Sequence, residues 1–293
     1  MKRTALLALA LGLFAPASSG SAEDAVAPAP RVAVLLPFVA DAVDMADDRL
    51  VVASVRRSLR EPIREGRIDL GNPHSPNFER LAEARPDLVI GDRALHAPIA
   101  SELSLGGQAE VVLIDASSVE ATFDSLRAIG RSAGIEGAMS HRVDDAARTL
   151  DEAHVAGQPA LLALFGTPES FYAVTGRNWL GDLATRVGFR NVANDLADDP
   201  RLPGLVALND EAVAGLQPDL VVLICHGDPA RIRASLDARI GRGGVWSHLG
   251  AAATRGLHVL DPTLFSSNPG LALADAARSL SRLSAEPAAG STP

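Results

Sequence analysis

Hydrophobic and polar positions alternate in blocks along the chain. Continuous apolar runs at 31–37 (RVAVLLP), 50–55 (LVVASV), 87–91 (DLVIG) and 110–115 (EVVLID) have no polar face, as expected of strands buried on both sides. Between them, stretches at roughly 38–47, 77–84, 93–105 and 118–131 carry apolar residues at helical spacing. The alternation resumes in the second half, with strands predicted at 160–166, 219–225 and 256–261 and helices at 178–188, 210–216, 230–240 and 271–284. The stretch 135–156 between the halves has no strand signal and consists almost throughout of good helix formers. It predicts one helix of about 20 residues, roughly 30 Å long.

Strands alternating with helices define the α/β class with parallel sheets. The pattern divides into an N-terminal lobe at 31–132, an interlobe helix within 133–158 and a C-terminal lobe at 159–284. Two similar α/β lobes joined by one long helix leave a cleft between them, where a ligand would sit. Residues 285–293 (AEPAAGSTP) read as a disordered tail.

The two halves also share a short echo. Pro-Asp-Leu-Val occurs at 86–89 and again at 218–221, each time with a glutamate seven positions before the proline, Glu79 and Glu211. Each proline ends a helix and each aspartate can hydrogen-bond local amides before a buried strand begins. The echo marks the duplication of a lobe rather than a chemical motif.

Composition narrows the function. Lys2 and Arg3 precede an apolar stretch and then small residues ending at Ala22, the pattern of a cleaved signal peptide over 1–22. No cysteine follows that stretch, so no lipid anchor is expected, and the mature chain is expected to be soluble and exported. The formal net charge is −9, and losing Lys2 and Arg3 makes the chain more acidic, which disfavours nucleic acid as a partner. Cys225 is the single cysteine, and its expected role is that of a small buried hydrophobe. The seven histidines lack metal-ligand spacing. Enzyme signatures are missing too: there is no nucleophile elbow or phosphate-cradling loop, and Trp246 occupies the last glycine position of the nearest Gly-rich match, IGRGGVW.

The segments PNFERLAEARPDLVIGD (76–92), AVTGRNWLGDLATRVGFRNVAND (173–195), LNDEAVAGLQPDLVVLI (208–224) and RGLHVLDPTLFSSNPGLALADAARSL (255–280) together resemble the class III periplasmic substrate-binding proteins of ABC importers, which carry iron-siderophores, haem and cobalamin. The resemblance covers nearly the whole mature chain. It implies a monomer with two doubly wound lobes and a rigid linking helix, with no resident cofactor. It also implies delivery of a small metal chelate to an ABC permease dimer at the inner membrane. By motif position, Glu79 and Glu211 look like the two acids that dock on permease arginines in that family. A ferric siderophore is the first expectation for the ligand, and haem or cobalamin the second. Outside the class, the competing expectation is an exported α/β enzyme.

Ligands of doubly wound sheets sit beyond the carboxyl ends of the strands. The candidates there are Arg56 and Arg57, then Arg93 beside Asp92, then Tyr172, Arg177 and Trp179 in GTPESFYAVTGRNW, and His226 after Cys225. Trp246 is a second aromatic candidate. Arginine forks bind chelate oxygens, aromatic rings stack on flat ligands, and Tyr172 or His226 could ligate a haem iron.

Overall fold

The computed structural model describes residues 28–57, 62–197, 202–252 and 256–285. The expected signal peptide and the tail beyond residue 285 lie outside the described residues. In the N-terminal lobe the elements run β1 (Val32–Val34), α1 (Pro37–Ala46), β2 (Val51–Ser54), β3 (Ile68–Asp69), β4 (Gly71–Asn72), β5 (Ser75–Pro76), α2 (Phe78–Ala84), β6 (Leu88–Asp92), α3 (Arg93–His96), α4 (Ala100–Leu103), β7 (Glu110–Ile114) and α5 (Val119–Ser132). The sheet order is β3-β2-β1-β6-β7, all parallel. Strand order therefore reverses between β1 and β6, and the loops leaving these two strands diverge to make a crevice.

α6 (Glu136–Asp151) follows. It is shorter than the periodicity predicts. At one end Gly134 turns the chain with φ 71°, and at the other Gly157 does so with φ 81°. Glycine is at home at positive φ.

In the C-terminal lobe the elements run β8 (Ala160–Gly166), β9 (Phe171–Val174), α7 (Trp179–Arg186), β10 (Arg190–Asn191), β11 (Leu205–Ala207), α8 (Asp210–Ala214), β12 (Leu220–Cys225), α9 (Pro229–Gly241), α10 (Val245–Ala252), β13 (Leu257–Val259), α11 (Pro262–Phe265) and α12 (Leu273–Ala285). The central strands β8, β12 and β13 are parallel. β9 returns antiparallel on β8 and carries β11 at the sheet edge. The segment after β8 is thus not one long loop: it contains a strand. Strand order reverses between β8 and β12.

The duplication is visible in hydrogen bonds. Asp87 Oδ2 accepts from Arg31 N–H at 2.8 Å, and Asp219 Oδ2 accepts from Ala160 N–H at 2.7 Å. Each aspartate of the Pro-Asp echo therefore clamps the start of the adjacent strand, not the local amide that the sequence suggests. Asn77 and Asn209 cap α2 and α8 in the same way, accepting from Arg80 N–H and Ala212 N–H.

One contiguous apolar core unites the inner faces of both sheets with α1, α5, α6, α7 and α12. Polar bonds reinforce the junction. Asn268 Nδ2 donates to Ala116 O at 3.0 Å and to Thr122 Oγ1 at 2.7 Å, and Val119 N–H donates to Asp182 Oδ2 at 2.8 Å. Gly270 lies so close to Phe38 that a Cβ there would stand 2.6 Å from the ring.

Candidate functional site

The carboxyl ends of β8 and β12 end in Phe165-Gly166 and Cys225-His226. Alternation along the strands sends Phe165 and Ile224 to the inner face, where Val174 of β9 also lies. Tyr172 is cross-strand partner to Phe165, so it shares that face. The rings lie close, with centroid separations of 6.4 Å for Phe165 to Tyr172 and 5.6 Å for Phe165 to His226. Tyr172, Phe165 and His226 thus form a continuous aromatic ridge at the switch point of the sheet. Tyr172 is half-buried and His226 exposed.

Beneath this ridge lies a hollow of about 160 Å³, lined by Phe165, Val174, Asn178, Trp179, Leu205, Ile224, Phe265 and Ser266. Trp179, the first residue of α7, stacks on Phe265 with centroids 6.3 Å apart and planes 20° apart. Its position is fixed from below. Asn178 caps α7 by accepting from Leu180 N–H at 3.1 Å. Gly181 passes so near Thr175 that a Cβ would stand 2.1 Å from its carbonyl oxygen. A second, larger hollow of about 480 Å³ lies against Arg85, Pro86 and Asp87. It sits at the amino ends of the strands, away from both switch points, and we do not assign it to the ligand.

The predicted site residues divide by environment. Trp179 lines the hollow, and Tyr172 and His226 flank Phe165, which the hollow and the ridge share. Arg177, exposed, lies on the turn between β9 and α7, beside Asn178. Arg93 stands at the N-terminal lobe's own switch point, its guanidinium donating to Leu113 O at 2.8 Å. The helical turn that it begins, α3, is held by His96, which is 1% exposed. His96 Nδ1 accepts from Asp92 N–H and its Nε2 donates to Pro73 O, both at 2.8 Å.

Arg56 and Arg57 stand one strand away from that switch point, after β2, and both are engaged by carboxylates. Arg56 Nε donates to Asp69 at 2.7 Å, and Arg57 pairs with Asp41. The Arg56 hydrogen bond holds the Asp69 carboxyl below the usual carboxylate range.

Trp246 does not belong to the cleft. It is 7% exposed, in the core on the outer face of the C-terminal sheet. Its indole N–H donates to Asp210 Oδ1 at 2.9 Å, Phe171 packs 6.2 Å away, and the Arg239 guanidinium lies 5.3 Å from its ring. Its neighbour in kind, Cys225, also packs toward that outer core. Burial, and then the nearby Asp228 carboxylate, push its thiol up. Glu79 and Glu211 are both exposed, each at the second residue of its helix, one on each lobe.

Among the described residues no cluster of His, Cys, Asp and Glu could hold a bare metal ion, and no helix is long and apolar enough to cross a membrane. The fold and cleft define a bilobal substrate-binding protein. A family model described as periplasmic binding protein matches residues 40–257, and the chain belongs to that family, of the class III type serving ABC importers. It is a family of extracytoplasmic binding proteins, not of enzymes.

The chain is 23% identical over 208 residues to the high-affinity heme uptake system protein IsdE of Staphylococcus aureus strain Newman, covering 66% of this chain and 65% of the relative. It therefore spans slightly less than two thirds of the length of that relative. The crystal structure of S. aureus IsdE complexed with heme superposes with a TM-score of 0.73 at 18% identity, covering 88% of this chain and 99% of the other. An ABC transporter substrate-binding protein from Listeria monocytogenes EGD-e gives 0.73 at 23% identity, with coverages of 87% and 98%. FeuA of Bacillus subtilis, complexed with ferri-bacillibactin, gives 0.69 at 14% identity, with coverages of 89% and 93%. These likenesses establish the fold.

Proposed function

We propose that the protein captures an iron chelate outside the cytoplasm and delivers it to an ABC permease dimer, docking through Glu79 on one lobe and Glu211 on the other. Among chelates, we favour a flat iron macrocycle of the haem type over a ferric siderophore. The observation that carries this preference is the Tyr172–Phe165–His226 ridge. It offers a stacking face between two Lewis bases suited to axial ligation of iron. Recognition of an anionic siderophore asks for available arginine forks, and Arg56 and Arg57 are already engaged by Asp69 and Asp41. The haem relative IsdE supports the same reading.

The test is a titration of the purified protein with haemin, followed by visible absorbance. We expect one equivalent to bind with a shifted Soret band. Tyr172→Phe or His226→Ala should then alter the band and weaken binding about tenfold or more, whereas Arg56→Ala should do neither. If haemin leaves the spectrum unchanged while a ferric triscatecholate quenches tryptophan emission, the macrocycle reading falls and the siderophore reading takes its place.

A further inference from the structure

We propose that the hollow beneath Phe165 is a specificity slot for one apolar edge of the bound chelate, with Leu205 and Ser266 at its mouth setting what it admits. The slot deepens the iron-macrocycle reading and rests on it for the identity of the ligand, though not for its capacity to take an apolar group.

Four of its walls are buried and hydrophobic: Val174, Trp179, Ile224 and Phe265 are 1%, 9%, 6% and 1% exposed. The mouth is more open, with Phe165 and Leu205 half-buried and Ser266 exposed. The hollow opens to the surface at this mouth, and an apolar recess keeps its shape only where its walls are braced. Here the walls are prevented from collapsing. Trp179 and Phe265 brace one another in a stack. The Val174 carbonyl is held by Asn191 Nδ2 at 2.9 Å, and α7 is set against Thr175 by the contact at Gly181.

The volume of about 160 Å³ is close to that of apolar cavities that stay dry and accept benzene, about 150 Å³. A whole chelate needs more, since small-molecule sites run to roughly 300–1,000 Å³. The slot therefore takes part of a ligand. Its geometry says which part. Phe165 is shared between the slot and the ridge, so a flat ligand with its metal at Tyr172 or His226 would direct one edge over Phe165 into the hollow. Six of the eight lining residues are apolar; the other two are Asn178, whose Oδ1 caps α7, and Ser266 at the mouth. A pyrrole edge bearing methyl and vinyl groups suits it, and a charged or catechol edge does not.

The test compares haemin with deuterohaemin, in which hydrogens replace both vinyl groups, on the parent protein and on Leu205→Trp, which fills the slot from the edge strand. Ser266→Leu, at an exposed position, is the second filling variant should the first fold poorly. We expect filling to weaken haemin about tenfold and to weaken deuterohaemin distinctly less. A benzene arm is independent of the macrocycle reading. Benzene should raise the melting temperature of the parent and leave the filled variant unaffected. Folded filling variants that bind haemin as tightly as the parent would overturn the slot, as would a parent that benzene does not stabilise. A parent stabilised by benzene but indifferent to both haemins would keep the slot and sink the macrocycle instead.

Discussion

Two tryptophans illustrate what single residues reveal before and after folding. Trp179 and Trp246 are both aromatic candidates in the sequence, the first at the start of the helix predicted at 178–188 and the second in the Gly-rich stretch IGRGGVW. The fold sends the first to the inner face of the C-terminal sheet and the second to the outer face, between α8 and α9. Nothing local fixes the face that each takes, because that is decided by sheet topology and by α10, a helix that the sequence pattern does not predict. The hidden partner is Asp210, 36 positions away, which accepts the Trp246 indole hydrogen. Trp246→Phe is therefore expected to cost about 1–2 kcal/mol of stability, from the lost hydrogen bond and a small void, read from urea denaturation. Ligand affinity should not change. A loss of affinity at unchanged stability would return Trp246 to the site. Among the ridge residues, Tyr172 and His226 were visible as loop residues, but Phe165 was overlooked. The signal for it existed: it is the last apolar side chain before Gly166 at the carboxyl end of a buried strand.

At the scale of elements, long apolar runs were legible and short antiparallel ones were not. β8 and β12 carry continuous hydrophobic runs because both faces are covered. β9 is only four residues, flanked by Gly, Thr, Pro and Ser, and it owes its strand geometry to its antiparallel pairing with β8 and β11. Pro-Asp-Leu-Val belongs to this scale too. The sequence shows that the motif recurs, but not that its aspartate reaches 56 or 59 residues back to clamp the neighbouring strand. Asp87→Ala and Asp219→Ala each remove the acceptor of a strand-initiating amide. Each should cost about 1–3 kcal/mol, and because the clamps lie in separate lobes the double variant should be close to additive. Chemical denaturation of the three variants measures this. Chelate affinity should hold, since both clamps sit at the end of the strands opposite the ligand loops. A marked excess of the double over the sum would mean that the clamps act as one unit across the lobes.

At the scale of the whole molecule, the two lobes are joined by more than a linker. The inner core runs unbroken from one sheet to the other. Asn268 and Asp182 bond across the junction, and Gly270 seats the returning chain on Phe38. Such an arrangement holds the two lobes together as one body, with Glu79 exposed on one lobe and Glu211 on the other. Their equivalence is structural as well as sequential: each is the second residue of a helix capped by asparagine, exposed, and seven positions before the proline of the repeated motif. A rigid body presenting two matched carboxylates suits a partner with two-fold symmetry. Charge reversal tests this directly. Glu79→Lys and Glu211→Lys are surface changes that should each alter stability by no more than about 0.5 kcal/mol, and each should leave chelate affinity in solution untouched. Each should impair ligand-dependent transport in vesicles holding the permease, and the double variant should abolish it. A double variant that transports normally would remove these residues from docking, and one that loses chelate affinity would place them at the cleft instead.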